Sequence, residues 1–331
     1  MGWGRRLRAV DPAGRLGLVS GWYGRFRLVE LERGKERAIG LKLPRRDVSV
    51  SPIAAGGRVV WPVTKPIRYG GRNHLLIFRG LSVASLSAGT VEIVENRGAT
   101  EFHVPIRIWL SRGGAVAWFL TRNETVRMWH LDGGSQHEYT PLPGAVIQSV
   151  DFDDERGLLA AASYGYAAVL QVGDGELQEC GRVRIPNTDN PWIALVGGRL
   201  FVLSDYRGQR GHELRGFALD NDGVPAQEPF FCWSERTGFA GDGQSRPIQR
   251  PIVADVSEDA RWVAVALNDR RVAICQPDAC RAQYLTGHSD DIATLRFTAG
   301  AASLISGDYD NRVIARPRVG ESFLVLARRR R

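Results

Sequence analysis

The chain runs to 331 residues, with 44 basic residues against 36 acidic ones and a net charge of +8. Its 38 glycines and 16 prolines are dispersed along the whole length, which argues against long helices. No apolar run approaches the roughly 18 residues that cross a bilayer.

Short runs rich in Val, Ile, Leu and Ala, set between turn residues, read as strands. Seven segments share one layout, and their first strands begin near Leu7, Val48, Ile106, Ile147, Trp192, Ile252 and Ile292. The spacings are 41, 58, 41, 45, 60 and 40 residues, one recurring period with two long insertions. A fixed period of that size marks a repeat architecture, in which each unit buries its apolar faces against its neighbours. The first segment predicts strands at 7–10, 16–20, 26–31 and 37–43. The second predicts strands at 48–53 and 59–63, then two further strand-like runs at 74–78 and 91–94, either of which can be its third strand. The third predicts 106–110, 115–120 and 126–130, and the fourth 150–152, 158–163 and 167–172. The fifth predicts 192–196, 200–204 and 213–219, and the sixth 252–256, 262–267 and 272–275.

The last segment, residues 285–317, is the clearest: a Gly287-His288 pair, a strand with Ile292, Leu295 and Phe297, then Leu304-Ile305, an Asp-Tyr-Asp-Asn turn and Val313-Ile314. This order resembles one blade of the WD-repeat β-propeller family, whose signature runs from Gly-His to Trp-Asp over about 40–45 residues. Arg316-Pro317 stands where the family has Trp-Asp, and the third segment carries Trp129-His130 there. The resemblance implies an all-β fold, a single seven-bladed β-propeller with four-stranded antiparallel blades over 1–327, followed by a basic tail at 328–331. An outer strand at 323–326 would complete the last blade.

The resemblance also implies that His288, Ser306 and Asp310 form a buried hydrogen-bonded set with Arg316 in place of Trp, and that Asp269 takes the tight-turn position in the sixth blade. That role is structural, so Asp310→Ala is expected to cost stability and leave binding alone. The innermost strands would line a central channel. There Asp151, Asp255 and Arg296 fall at equivalent positions, Asp255 and Arg296 able to pair, with solvated lining as the expected state.

The loops between second and third strands, together with those linking blades, would open on one face. Tyrosine recurs in them at Tyr23, Tyr69, Tyr164, Tyr166, Tyr206 and Tyr309, and arginine at Arg25, Arg68, Arg72, Arg122, Arg207, Arg210, Arg270 and Arg271. The fifth-to-sixth insertion adds Arg236, Arg246 and Arg250. Tyr and Arg are the residue types enriched in binding hot spots, and Gly-rich loops carrying them resemble antibody-like recognition surfaces.

Three functions compete. A non-catalytic scaffold binding a protein partner inside a multi-subunit assembly explains the loop pattern and the missing catalytic constellation. Nucleic-acid binding through the same face and the tetra-arginine tail explains the charge, although acidic residues (Asp205, Glu235, Asp269, Asp308, Asp310) are interspersed. A propeller enzyme using Asp151 and Asp255 comes third. Only three of the cations are lysine, so the charge also fits a simple codon preference. Cys180, Cys232, Cys275 and Cys280 are too few and too scattered for a disulfide framework. Cys275 and Cys280 flank a Gln-Pro-Asp-Ala turn, but with no second ligand pair no metal is expected. Nor is any cofactor, small-molecule substrate or membrane contact. The opening Met-Gly-Trp-Gly-Arg-Arg has neither an apolar signal core nor the Ser/Thr of a myristoylation site, so the expected location is the cytoplasm.

Overall fold

Turn chemistry sets the strand boundaries. In four segments the residue that ends the first strand is Asp11, Ser111, Ser257 or Thr298, and each closes the following turn in the same way. Its side-chain oxygen accepts the N–H five residues on: Leu16 at 2.7 Å, Val116 at 3.1 Å, Trp262 at 3.0 Å and Ser303 at 2.8 Å. Its carbonyl accepts the N–H three residues on, from Gly14, Gly114, Ala260 and Ala301. Those four residues all have positive φ (70°, 77°, 55° and 51°), which glycine adopts freely and alanine only with strain. Short Asp, Ser and Thr side chains bonding to nearby backbone are what make such turns compete with continued strand.

The structure, a computed structural model, describes residues 6–11, 13–20, 25–31, 35–42, 57–69, 73–85, 90–95, 107–111, 114–120, 125–133, 135–173, 176–186, 191–205, 211–236, 253–310 and 312–324. Their ordered elements are strands and two short 3₁₀ turns. Two compact units divide the chain, Met1–Pro141 and Leu142–Arg331.

The first unit holds three antiparallel sheets. β1 (Arg6–Val10), β2 (Leu16–Ser20), β3 (Arg25–Glu30) and β4 (Lys35–Lys42) form the first in sequence order. β5 (Arg58–Tyr69), β6 (Asn73–Ser85) and β7 (Thr90–Glu95) form a three-stranded sheet, and the first strand expected at 48–53 lies outside the described residues. Both undecided runs of this segment are strands: 74–78 belongs to the third position and 91–94 to the fourth. β8 (Arg107–Leu110), β9 (Val116–Leu120), β10 (Val126–His130) and β11 (Gln136–Tyr139) form the third sheet. Val60, Phe78 and Leu81 of the second sheet pack with Ile108, Phe119 and Trp129 of the third.

The second unit holds four four-stranded sheets, again in sequence order. They comprise β12 (Ser149–Asp153), β13 (Leu158–Ser163), β14 (Tyr166–Val172) and β15 (Leu177–Arg184), then β16 (Trp192–Val196), β17 (Arg199–Asp205), β18 (Gly211–Ala218) and β19 (Phe231–Arg236). β20 (Ala254–Val256), β21 (Val263–Ala266), β22 (Val272–Gln276) and β23 (Arg281–Leu285) follow, then β24 (Ile292–Phe297), β25 (Ser303–Asp308), β26 (Val313–Val319) and β27 (Ser322–Phe323). The first strands β12, β16, β20 and β24 lie side by side in that order. Every residue of β13, Leu-Leu-Ala-Ala-Ala-Ser, is buried, and Leu158, Ala160 and Ala162 pack with Ile193, Leu195, Leu200 and Val202 of the next sheet. A strand buried along its whole length reads as a continuous apolar run, without polar alternation. Seven consecutive antiparallel sheets of this kind are the blade order of a seven-bladed β-propeller.

In the second unit each sheet returns the chain to the end where its first strand starts. The β13–β14, β21–β22 and β25–β26 turns and the blade-linking loops therefore share that end, called here the entry end. The turns after the first and third strands share the opposite end.

Candidate functional site

The last sheet brings together a constellation that, by residue type, matches a nucleophilic triad. Asp308 Oδ2 lies 3.0 Å from His288 Nδ1, and Ser306 Oγ lies 2.7 Å from His288 Nε2. A carboxylate can only accept, so Nδ1 carries the proton and Nε2 of the neutral ring takes the Ser306 hydroxyl. Burial holds the His288 pKa below its ordinary value, against the pull of Asp308, and the Arg316 and Arg312 charges push the same way as burial. The set cannot meet a substrate: Ser306 is fully buried, and the His288 and Asp308 side chains are 1% and 0% exposed. Its carboxylate is also fully used by the fold, accepting Ser289 N at 3.3 Å and Arg312 N at 2.8 Å.

The carboxylate in this set is Asp308 where the sequence pointed to Asp310. Asp308 is the last residue of β25, opposite Ile292 in register, whereas Asp310 sits exposed in the turn beyond it. The turn offers two carboxylates two residues apart, and only the strand register decides which one faces inward. Arg316, in place of the family's Trp, is 1% exposed; it donates from Nη2 to Thr286 O and from Nη1 to Leu324 O at 3.3 Å. Burial lowers its pKa from the ordinary guanidinium range. Gly287 has φ of 129°, which favours glycine, and a Cβ there would also crowd Arg316 Nη2 at 3.3 Å. Asp269 does hold its turn, but from the solvent side, accepting Arg271 N at 3.2 Å and pairing with Arg271 Nε at 2.5 Å.

The two first-strand carboxylates are fasteners between sheets. Asp151 Oδ2 accepts Leu195 N of the next first strand at 2.8 Å. Asp255 Oδ2 accepts Phe297 N at 2.6 Å, and its Oδ1 meets Arg296 Nη1 at 3.1 Å, the pairing the sequence anticipated. Asp255 is 9% exposed, so it is packed rather than solvated; burial pushes its pKa up, outweighing Arg296 and the Phe297 N–H.

A third pattern escaped the sequence reading. Arginines at the turns after first strands reach across to the next sheet at the end opposite the entry end. Arg156 Nη2 donates to Asp220 O at 2.7 Å, Arg199 Nη1 pairs with Asp278 at 2.9 Å, and Arg261 Nη2 pairs with Glu321 at 3.7 Å. Arg199 also lies over the Phe230 ring at 4.9 Å. In the first unit Arg58, which like Arg199 follows a Gly-Gly pair, reaches Gly114 O at 3.1 Å and Asp132 at 3.5 Å. The signal was present: six of the seven such turns contain an arginine (Arg15, Arg58, Arg112, Arg156, Arg199, Arg261).

At the entry end, Tyr164 tops the β13–β14 turn and is 47% exposed, and Val146 of the preceding linker is 45% exposed. The two are tied, since Ser163 Oγ donates to Val146 O at 2.8 Å. Tyr166, beside them on β14, is covered by the Arg182 guanidinium at 5.2 Å, itself paired with Glu179. Tyr309 is half-buried and its N–H bonds Asp291 O at 3.0 Å. Arg271 links Glu235 (3.2 Å) to the Tyr284 ring (4.9 Å), and Tyr284 OH donates to Glu235 at 2.6 Å. Arg68 and Tyr69 end β5, and Arg236 ends β19. Tyr23, Arg72, Arg122, Tyr206, Arg207, Arg210, Arg246 and Arg250 lie outside the described residues, as does the tail at 328–331.

All four cysteines are free; Cys275 is buried, which pushes its thiol pKa up, while Cys232 and Cys280 are exposed. Among the described residues no three His, Cys, Asp or Glu side chains are placed to hold a metal ion, and no helix is long and apolar enough to cross a membrane. Neither a protein-family profile nor a curated protein sequence matches the chain.

Proposed function

We propose that the chain is a non-catalytic interaction scaffold that binds a protein partner, within a multi-subunit assembly, through the Tyr/Arg-bearing entry end of its blades. The observation that carries this reading is the Val146–Tyr164 spot: an aliphatic and an aromatic side chain, each nearly half exposed, on a turn anchored by fully buried neighbours. A rigid aromatic at a loop tip offers contact area with little entropy left to lose, the usual property of a hot spot. The sealed Ser306–His288–Asp308 set and the occupied Asp151 and Asp255 also favour binding over catalysis.

Tyr164→Ala combined with Tyr206→Ala and Arg207→Ala tests it. Co-purification from the cells that make the protein should lose the partner while the melting temperature stays put. Undiminished partner recovery overturns the reading. The second reading, a nucleic-acid partner, rests on the net charge of +8. It predicts that bound material falls steeply with salt and is removed by nuclease.

A further inference from the structure

The hairpin β5–β6 is far longer than the other strand pairs, 12 and 13 residues. β7 pairs with β6 only from Gly80↔Glu95 to Ser85↔Thr90. Beyond that, among the described residues, 64–69 and 73–78 continue as a two-stranded ribbon, from Thr64↔Phe78 to Tyr69↔Asn73. The register slips between Val63 and Thr64, leaving Arg79 as an extra, exposed residue at the root of the ribbon. Such a bulge bends a strand pair and re-aims what lies beyond it.

A bare ribbon is at best marginally stable in water. Its two edges differ. Pro66 removes a donor from the β5 side. The β6 side runs Asn-His-Leu-Leu-Ile-Phe over 73–78, without Asp, Glu, Lys or Arg and strongly strand-forming, and no described strand pairs with it there. Charge supplies the second observation. Residues 64–79 contain Lys65, Arg68, Arg72 and Arg79 and no carboxylate. Four more cations form the terminal 328–331, and the remaining 36 basic residues equal the 36 acidic ones. Residues 64–79 thus carry half of the net charge of the chain.

Resting on the proposal that the partner is a protein, we infer that the ribbon is a strand-addition site for an extended acidic segment of it. The segment pairs its main chain with the β6 edge at 73–78, which no described strand occupies, and its carboxylates answer the cationic sequence of 64–79. Main-chain pairing supplies affinity in this mode, and side-chain chemistry supplies the choice of partner. The apolar Leu75, Leu76, Ile77 and Phe78 favour a protein strand over a phosphate backbone.

The test is photo-crosslinking of the full-length protein in its own cells, with p-benzoylphenylalanine at position 76 in one variant and at position 164 in another. The expected product at position 76 is an extended segment rich in Asp and Glu from another protein, identified by mass spectrometry. Arg68→Glu with Arg79→Glu should cut that product at least tenfold with the melting temperature unchanged. A crosslink to nucleic acid, to a neutral or basic segment, or to residues 96–106 of this same chain overturns the inference. So does a product at position 164 with none at 76, which leaves the entry-end reading standing. Absence of protein products at both positions sinks that reading and the inference together.

Discussion

Replacing Asp308 and Asp310 separately by alanine distinguishes two assignments of the buried histidine set that differ by two residues. Asp308 accepts three hydrogen bonds, from His288 Nδ1, Ser289 N and Arg312 N, and its side chain is fully buried. Each bond contributes about 1 kcal/mol net, and leaving the His288 donor buried without its acceptor adds about 1–3 kcal/mol. Asp308→Ala is therefore expected to cost about 4–6 kcal/mol, which corresponds to roughly 8–24 °C in melting temperature for a unit of this size. Asp310 is exposed, so Asp310→Ala should stay within about 0.5 kcal/mol. Urea and thermal unfolding of the whole chain, followed by tryptophan fluorescence, read both. The pH dependence adds a check whose sign follows from proton binding. His288 has a lowered folded pKa, so below 6.5 the unfolded chain takes up a proton that the folded chain resists. Its stabilising contribution is complete above pH 6.5 and is lost as pH falls toward the folded pKa. The stability gap between wild type and His288→Asn should accordingly shrink on acidification. An Asp310→Ala variant as unstable as Asp308→Ala would refute the register on which the constellation depends.

Two further predictions concern the fasteners between sheets. Asp255→Ala strands the Phe297 N–H and leaves Arg296, one-third exposed, without its partner, so a loss of about 2–4 kcal/mol is expected in chemical unfolding. Asp255→Asn should lose less. Its disadvantage should narrow as pH rises from 3.8 through the raised folded pKa, because the wild-type carboxyl must ionise in a buried site. A cost below 0.5 kcal/mol for Asp255→Ala contradicts the buried-fastener role. Arg199→Ala removes the Asp278 pair, the Phe230 stacking and the weak Ala260 contact, and is expected to cost about 1–2 kcal/mol. Exposed Arg281 on β23 is the matched control, and equal effects at the two positions would dispose of the cross-sheet role.

Much of the fold was legible because turn chemistry and period agree. Asp11, Ser111, Ser257 and Thr298 each stop a first strand through a side-chain bond to the backbone, and that rule is local enough to read from residues alone. Strand existence followed, and 158–163 and 192–196 have the bounds their apolar runs suggest. Long-range register was not legible. Nothing local distinguishes Asp308 from Asp310, because the choice depends on how β25 pairs with β24. The same limit hid the β5–β6 ribbon: 59–63 and 74–78 read as two short strands when they are parts of one long pair joined through a bulge. Burial was misjudged at Asp255 for a related reason. A carboxylate on a first strand looks solvated until the neighbouring strand delivers the Phe297 N–H to it.

The arginines change meaning once their partners are known. Read as composition, a large excess of arginine over lysine suggests either phosphate binding or codon preference, and neither names a residue. Read by position, Arg58, Arg156, Arg199 and Arg261 meet carbonyls, carboxylates and a phenyl ring on the next sheet, contacts that suit a planar guanidinium better than an ammonium. Those cations are already engaged within the fold and offer little to an outside polyanion. The charge balance outside the ribbon and the terminal 328–331 says the same thing independently, because arginines recruited for internal fastening come with acidic counterparts. A cation with no such counterpart nearby in sequence is the one to follow when looking for a partner. By that criterion the ribbon at 64–79 is a better place to begin than the net charge of the whole chain.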